Sequence, residues 1–218
     1  MRTRTMHIAF LLIAMAALGG VAARAQAGAA RSIAQTDLAL SVYGAFSGTT
    51  TGNNVEQSPS NSAGGLLEVR RLANPILGFE ATYAFNRANQ VYNPTVVPAS
   101  CPAPGPCGGL PAIVSANAHE LTADWVPSLK IANLRPFAVL GGGLLLNVPS
   151  SGQTNTGAAY KPVYVYGGGL DWEMLPHLGL RLQYRGNLYT APDLTKLYTS
   201  SGAFTHKAEP IVGVYFRR

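Results

Sequence analysis

The sequence predicts an all-β protein: an eight-stranded, antiparallel, up-and-down transmembrane β-barrel preceded by a cleaved signal peptide. Three observations predict this fold. Eight short stretches alternate apolar and polar residues, the connections between them are alternately short and long, and an uncharged apolar leader precedes them. Period-two alternation that recurs over runs of about ten residues is the sequence signal of membrane barrels.

The N-terminus has the layout of a signal peptide. Residues 1–4 are basic, residues 8–21 form an uncharged and mostly apolar run, and residues 25–27 read Ala-Gln-Ala, a small-x-small cleavage site. The alternative, an N-terminal membrane anchor, is disfavoured because the run is shorter than the ~20 residues that a spanning helix needs. We therefore expect a signal peptide over residues 1–27 and a barrel domain over residues 28–218.

Composition separates the candidate classes further. Charged residues make up 12% of the chain, against about 25% in typical soluble proteins. A soluble β-sandwich, the rival fold, would show more surface Lys and Glu. The leader contains Arg2, Arg4 and Arg24, so 13 basic and 10 acidic side chains remain after it. No Lys/Arg stripe follows, and nucleic acid is not an expected partner.

The eight stretches carry the barrel pattern in order along the chain. In the seventh, for example, Leu180, Leu182 and Tyr184 alternate with Arg181 and Gln183. Successive strand residues point to opposite faces, so one face is apolar and the other polar. The predicted strands are residues 38–46, 67–72, 77–87, 117–126, 136–146, 163–172, 178–189 and 209–216.

The connections support an even strand count. The links at 73–76, 127–133 and 173–177 are short, whereas those at 47–65, 88–116, 147–162 and 190–208 are long. Outer-membrane barrels have short periplasmic turns and long outer loops. The aromatic residues of the strands are the expected material of the two interfacial girdles; they are Tyr83, Phe85, Trp125, Phe137, Tyr164, Trp172, Tyr184 and Phe216.

The polar face predicts a charged lumen. A charge that faces lipid at the membrane midplane costs about 2–4 kcal/mol for Arg or Lys, so these side chains belong inside. An eight-stranded barrel is just wide enough for side chains to fill it, and buried charges must pair. We expect an ion-pair network around Arg181 and Arg185 with Glu80, Glu120 and Asp124 as partners. The full predicted set is Glu68, Arg70, Glu80, Glu120, Asp124, Asp171, Arg181, Arg185 and Glu209.

Two interpretations of this cluster remain open, with the first favoured. The network is a closed plug of ion pairs, or, since six acids outnumber three arginines, a narrow cation-preferring pore or proton-linked gate. The carboxylates do not by themselves indicate an enzyme, because no substrate cleft accompanies them.

Other chemistry-bearing residues give weaker signals. Cys101 and Cys107 lie close together in the longest loop, and in an exported protein such a pair predicts a disulfide. A metal site would need further Cys or His near them, so we predict neither metal nor cofactor. His206 lies near Ser200, Ser201 and Asp193 without a spaced motif, and we predict no catalytic residue.

Four segments carry a family resemblance: residues 135–143, 166–172, 178–185 and 210–216. With them the chain resembles the small eight-stranded outer-membrane β-barrel superfamily of OmpA-type and OmpX-type barrels. The last segment is similar to the signal that the barrel-assembly machinery reads, with Val212, Val214 and Phe216 at alternate positions. It departs from the family pattern because Arg217 and Arg218 follow the terminal aromatic.

The resemblance implies a location in the outer membrane of a diderm bacterium, with membrane lipid, lipopolysaccharide and the barrel-assembly machinery as partners. We expect a non-enzymatic structural or surface-interaction role, with a possible extracellular ligand on the long loops. The alternatives are the narrow cation-preferring pore and a lipid-modifying outer-membrane enzyme.

Overall fold

The computed structural model describes residues 35–95 and 110–218. No helix long and apolar enough to cross a membrane occurs among these residues. The predicted signal peptide and the cysteines Cys101 and Cys107 lie outside them. The described residues form ten strands: β1 (Gln35–Ser47), β2 (Thr50–Gly52), β3 (Val55–Pro59), β4 (Ser62–Leu72), β5 (Gly78–Pro94), β6 (Ala112–Trp125), β7 (Leu134–Pro149), β8 (Ala159–Leu175), β9 (Leu178–Thr190) and β10 (Phe204–Arg217).

Eight of these strands close into one antiparallel barrel. β4 to β10 each pair with their neighbour in sequence, and β1 joins β4 on one side and β10 on the other. The ring therefore has no free edge within the barrel wall, as a sheet in lipid requires. The predicted all-β, eight-stranded, antiparallel barrel is confirmed.

Side chains alternate between the two faces of the wall as the sequence pattern predicts. In β9, Leu182 and Tyr184 are exposed outside, while Arg181, Gln183 and Arg185 are buried inside. Among the described barrel strands, charged residues take an outward position only at Arg71 and Arg87, near opposite ends of the wall. The outer surface between these ends is an uncharged apolar band.

The connections alternate in length, so all short turns lie at one end of the barrel and all long loops at the other. Asn74 shapes the first short turn, because its side-chain oxygen accepts the amide hydrogens of Ile76 and Leu77 at 2.9 and 2.8 Å. At the long-loop end the strands run further than predicted: β5 continues to Pro94, and β6 already begins at Ala112.

The first long connection contains a hairpin, β2–β3, that sequence reasoning missed. Its turn residues Asn53 and Asn54 have φ values of 49° and 59°, as a type I′ turn requires. β3 pairs with the upper part of β5, in the position that β4 leaves free above Ser62. The hairpin thereby raises one side of the wall.

Phe137 is not a girdle residue. The sequence analysis grouped it with the outward aromatics, but its side chain is buried in the lumen. Its ring lies across Gly169 on the neighbouring strand, where an added Cβ would come within 2.6 Å of the ring. Phe137 alternates with the outward Pro136 and Ala138, so strand parity turns it inward. A side chain at position 169 would displace the ring, and glycine therefore leaves room for the aromatic there.

The C-terminus closes the barrel seam and is not a free basic tail. Arg217 pairs with Asp37 across the β1–β10 seam, with Nε and Nη2 donating to the carboxylate at 2.8 and 3.1 Å. Its amide donates to the carbonyl of His177 at 2.9 Å, and a third nitrogen, Nη1, reaches Glu173 at 3.1 Å. Phe216 therefore remains the last outward residue of β10, because the arginine after it turns into the lumen.

Replacing Arg217 should loosen this seam. Arg217→Gln leaves Asp37 without its bidentate partner, and we expect a loss of about 3 kcal/mol in the free energy of unfolding. Urea unfolding of the lipid-reconstituted barrel, followed by tryptophan fluorescence, measures it. Arg218→Gln is the matched control, because Arg218 is exposed. Equal stability of the two variants would contradict a role for Arg217 in closing the seam.

Candidate functional site

The lumen is the most highly charged region of the described chain. All nine residues that the sequence analysis assigned to it are buried inside, together with four charged residues that it missed. The missed residues are Asp37, Arg135, Lys207 and Arg217. With the others, except Asp124, they form three clusters along the barrel axis, here called the rim, lower and upper clusters.

The lower cluster comprises Arg70, Arg181, Glu68, Glu80 and Asp171. Arg70 contacts Glu80 at 2.7 Å and Asp171 at 3.2 Å. Arg181 contacts Asp171 at 2.7 Å and both glutamates at 3.3 Å. Each arginine thus bridges carboxylates from several strands, and the cluster ties opposite walls of the barrel together.

Neutral side chains complete this cluster. The Ser41 hydroxyl donates to Glu68 at 2.9 Å. The guanidinium carbon of Arg70 lies 3.9 Å from the centroid of the Phe137 ring, a cation–π contact that covers the face of the guanidinium. The inward Phe137 ring therefore both fills space in the lumen and contacts the buried charge of Arg70.

The upper cluster comprises Arg185, Lys207, Glu120 and Glu209. Glu120 forms ion pairs with Arg185 at 3.1 Å and with Lys207 at 3.0 Å. Lys207 also forms an ion pair with Glu209 at 2.8 Å. The amide of Asn187 donates to both oxygens of Glu120 at 2.9 and 3.0 Å. Glu120 is thus the centre of the cluster.

Asp124 behaves differently from the partner role predicted for it. Its carboxylate accepts a hydrogen bond from the Thr122 hydroxyl at 2.8 Å, and it forms no ion pair within 4 Å among the described residues. Arg185 instead donates to Glu120 and, at 3.3 Å, to the Thr122 hydroxyl. Thr122 is therefore the neutral link between Arg185 and Asp124.

The rim cluster lies at the short-turn end. The Asp37 carboxylate accepts hydrogen bonds from Arg217 and lies 3.8 Å from the Arg135 guanidinium. The Glu173 carboxylate contacts Arg217 at 3.1 Å and Lys130 at 3.0 Å. The Lys130 pair is half-exposed and adds little to stability. The pairs that involve Asp37 are buried and hold β1, β7 and β10 at one level.

The complete set changes the charge balance of the lumen. Seven acidic and six basic side chains are buried among the described residues, against the six and three that the sequence analysis counted. The excess of acid falls from three charges to one. A strong bias toward cations, which supported the pore alternative, therefore loses most of its basis.

A lid covers the long-loop end of the lumen. It is the β9–β10 connection, residues 191–203, and its Leu194 is 0% exposed. Leu194 packs in a small apolar core with Val55 of the hairpin, Tyr92 of β5 and Val114 of β6. The lid therefore packs on the hairpin and on the long-loop ends of β5 and β6, which the sequence analysis did not predict as strands.

Hydrogen bonds fix the lid at both ends. The Tyr92 hydroxyl donates to the carbonyl of Pro192 at 2.8 Å and accepts the amide hydrogen of Leu194 at 3.0 Å. At the other end, the hydroxyls of Thr50 and Ser201 are 2.8 Å apart. The two Tyr92 bonds satisfy backbone groups that a loop over an apolar core would otherwise leave unpaired.

Little space remains in the lumen between the ion-pair clusters and the lid. A cavity of about 20 Å³ lies in the outer half of the lumen, with Asn86, Gln90, Asn147 and Lys207 among its lining residues. That volume holds about one water molecule. Below it, the side chains of Arg70, Glu80 and Asp171 are 0% exposed, so water does not reach the lower cluster along the lumen.

The histidine group considered for catalysis is not assembled. The Tyr166 hydroxyl and His206 Nε2 are 2.9 Å apart on the outer surface of the wall. Ser201 bonds to Thr50, and the carbonyl of Ser200 accepts the side-chain amide of Asn53 at 2.8 Å. No hydrogen bond or ion pair joins His206 to Ser200, Ser201 or Asp193 among the described residues. Within residues 35–95 and 110–218, no cluster of three or more His, Cys, Asp or Glu side chains could hold a metal ion.

Comparison with solved structures finds small outer-membrane barrels. Ail, the attachment invasion locus protein of Yersinia pestis, solved with the heparin analogue sucrose octasulfate, is 15% identical with a TM-score of 0.50, covering 85% of this chain and 99% of Ail. Neisserial surface protein A is 10% identical with a TM-score of 0.50, covering 83% of this chain and 96% of its own.

OprG of Pseudomonas aeruginosa is 9% identical with a TM-score of 0.51, covering 85% of this chain and 96% of OprG. The chain has the fold of the small eight-stranded outer-membrane barrels. Neither a scan of protein-family models nor a search of curated proteins finds a match. At these identities the likeness concerns the fold, and the site must be read from this chain's own residues.

The adjacent arginines Arg70 and Arg71 test the structural weight of the lower cluster. Arg70→Met leaves Glu80 and Asp171 short of a buried partner, and we expect a loss of about 3–5 kcal/mol in the free energy of unfolding. Arg71→Met removes an outward, exposed charge and should change it by less than about 0.5 kcal/mol. Urea unfolding of both variants in lipid vesicles measures the difference. Equal losses would contradict the inward and outward assignment.

The lid can be tested with two leucines of the same loop. Leu194→Asp places a carboxylate in the apolar seat and should release the loop, whereas Leu197, 60% exposed, should tolerate Asp. Trypsin cleavage at the exposed Lys196 reports the release, and we expect it to accelerate at least about tenfold in the first variant only. Equal cleavage rates in the two variants would show that Leu194 does not hold the lid.

Proposed function

We propose that the protein is an integral outer-membrane β-barrel with a closed lumen and a non-enzymatic role in envelope structure or surface interaction. The observation that carries the proposal is the double barrier inside the wall: buried ion pairs that join opposite strands, and a lid that covers the long-loop end.

The outer surface supports a membrane location. It is an uncharged band with the aromatics Phe79, Trp125, Trp172 and Phe216 at the short-turn end. Such a band with interfacial aromatic rings matches the hydrocarbon core and its boundary. The short-turn end is then periplasmic, and the long loops and the lid face the outside.

The last strand supports recognition by the barrel-assembly machinery. Val212, Val214 and Phe216 are 45%, 49% and 54% exposed on the outer face of β10. Arg217 does not interrupt this alternating row, since its side chain lies in the lumen.

The lumen supports a closed state over the cation-preferring pore. An ion that crosses the lower cluster would have to displace Arg70 or Arg181 from carboxylates in a space that does not admit water, at a cost of several kcal/mol. The near balance of buried charge gives the ion little compensation. The non-enzymatic role is supported by the separate partners of His206, Ser200 and Ser201.

A surface interaction would use the outer loops. The lid and the hairpin are held in place by side-chain hydrogen bonds, so they present a defined surface. A heparin analogue like that of Ail is not an expected ligand of this chain, because the hairpin and lid carry Glu56 and Asp193 as well as Lys196. A strongly sulfated ligand would need a larger basic excess.

Planar-bilayer recording tests the closed lumen. We expect no reproducible conductance steps from the wild-type barrel, and none from Leu194→Asp, because the ion-pair clusters remain below the opened lid. Compact migration of the unboiled protein on a gel, with a shift after heating, shows that each sample is a folded barrel. Ion-selective steps that disappear in Glu80→Gln or Glu120→Gln would establish the pore in place of the plug.

A further inference from the structure

The lid carries an open cavity that the closed-barrel function does not use. Its volume is about 310 Å³, at the lower end of the range for small-molecule sites. The walls are residues 193–199 of the lid and Gly157 of the β7–β8 connection. Leu194 also lines the cavity, and its buried side chain belongs to the apolar core beneath the lid. The cavity, here called the lid cavity, is therefore separate from the lumen and opens to the outside.

Main-chain hydrogen bonds fix one wall of the lid cavity. An antiparallel bridge pairs Thr195 of the lid with Thr156 of the β7–β8 connection. Beside this bridge, the amide of Lys196 donates to the carbonyl of Asn155 at 2.8 Å. The connection is itself tied to the barrel, because the side-chain amide of Gln153 donates to a main-chain carbonyl of β6 at 3.2 Å. The lid and the connection thus form one continuous wall.

The far end of the lid cavity is held by side-chain hydrogen bonds. The Tyr198 hydroxyl donates to the carbonyl of Leu110, before β6, at 2.8 Å. The Thr195 hydroxyl oxygen accepts the amide hydrogen of Leu197 at 3.2 Å and fixes the turn between these two residues. The shape of the cavity is therefore set before a ligand arrives, and binding would cost little conformational entropy of the lid.

The polar groups of the lid cavity are available to a ligand. Asp193 and Lys196 both line it, and neither forms an ion pair among the described residues, with the other or with a third group. The Thr195 hydroxyl keeps its own hydrogen for donation, and the exposed Thr199 adds a second hydroxyl. Leu197, 60% exposed, supplies an apolar surface on the same wall. The cavity thus offers donors, acceptors and an apolar face, and its two charges cancel.

This combination of groups selects the class of ligand. One carboxylate and one ammonium in the same cavity disfavour a polyanion and a polycation alike. Sugar hydroxyls both donate and accept, so a single ring can bond to Asp193, Lys196 and a threonine hydroxyl at the same time. The C–H face of a sugar ring is apolar and matches the exposed Leu197. A neutral sugar therefore satisfies the polar and the apolar parts of the lid cavity together.

We propose that the lid cavity binds a neutral sugar ring, the terminal residue of an uncharged glycan. Asp193 accepts hydrogen bonds from sugar hydroxyls, Lys196 and Thr195 donate to them, and Leu197 covers the apolar face of the ring. The proposal rests on the surface-interaction role proposed above and gives that role a ligand class. Because the lid is anchored on both sides of the cavity, sugar binding leaves the lumen closed.

Saturation-transfer difference NMR of the full chain in lipid nanodiscs tests the site, with the methyl glycosides of glucose, galactose, mannose and N-acetylglucosamine as probes. We expect at least one glycoside to bind the wild type with a Kd on the order of 1 mM. Its affinity should fall about tenfold in Asp193→Asn, because hydrogen bonds to a charged group are lost. Glu56→Gln is the matched control, since this carboxylate lies on the hairpin outside the lid cavity, and it should bind like the wild type.

A competition arm separates a sugar from a zwitterion. Glycine carries both charges without hydroxyl groups, and we expect it not to displace the bound glycoside. Binding of none of the four glycosides, equal affinity in Asp193→Asn and the wild type, or displacement by glycine would overturn the sugar site. These outcomes count for a chain that migrates compactly on a gel before heating, and they leave the closed barrel standing. A wild-type chain without that heat-dependent shift would instead overturn the proposed function.

Discussion

An eight-stranded barrel turns every second side chain into a lumen that is too narrow to hydrate it. Any inward charge must therefore find an opposite charge across the barrel, at a distance that the strand register fixes. Arg181 shows the consequence, since it reaches Asp171, Glu68 and Glu80 from one position. The seam between β1 and β10 follows the same requirement, with Asp37 and Arg217 facing each other in register.

The same narrowness governs the neutral residues of the lumen. Phe137 takes an inward position of β7, Gly169 leaves space for its ring, and the ring covers the guanidinium of Arg70. The same aromatic ring thus fills the space beside Gly169 and contacts the charge of Arg70. Above the ion pairs, the lid closes the remaining opening with an apolar contact, because Leu194 meets Val55 and Tyr92 in place of water. The outer loops consequently lie on a closed scaffold.

Much of the wall was predictable from the sequence, because alternation is a local property. The inward positions of Glu80, Arg181 and Arg185 follow from their parity with neighbouring apolar residues. The same parity could have found Asp37, two residues before Ala39, and Lys207, two residues before Glu209, had the strands been extended by a few residues. Arg217 escaped because the last predicted strand ended at Phe216, one residue before it.

The sequence by itself determined the number of barrel strands, the lipid and lumen faces of most of them and the end at which the long loops lie, since these depend on residues adjacent in the chain. The tertiary structure alone decided which charges meet, that Asp124 bonds to Thr122 while Arg185 pairs with Glu120, and that residues 191–203 cover the mouth. These contacts join residues far apart in sequence, and only the closure of the barrel and its register bring them within bonding distance.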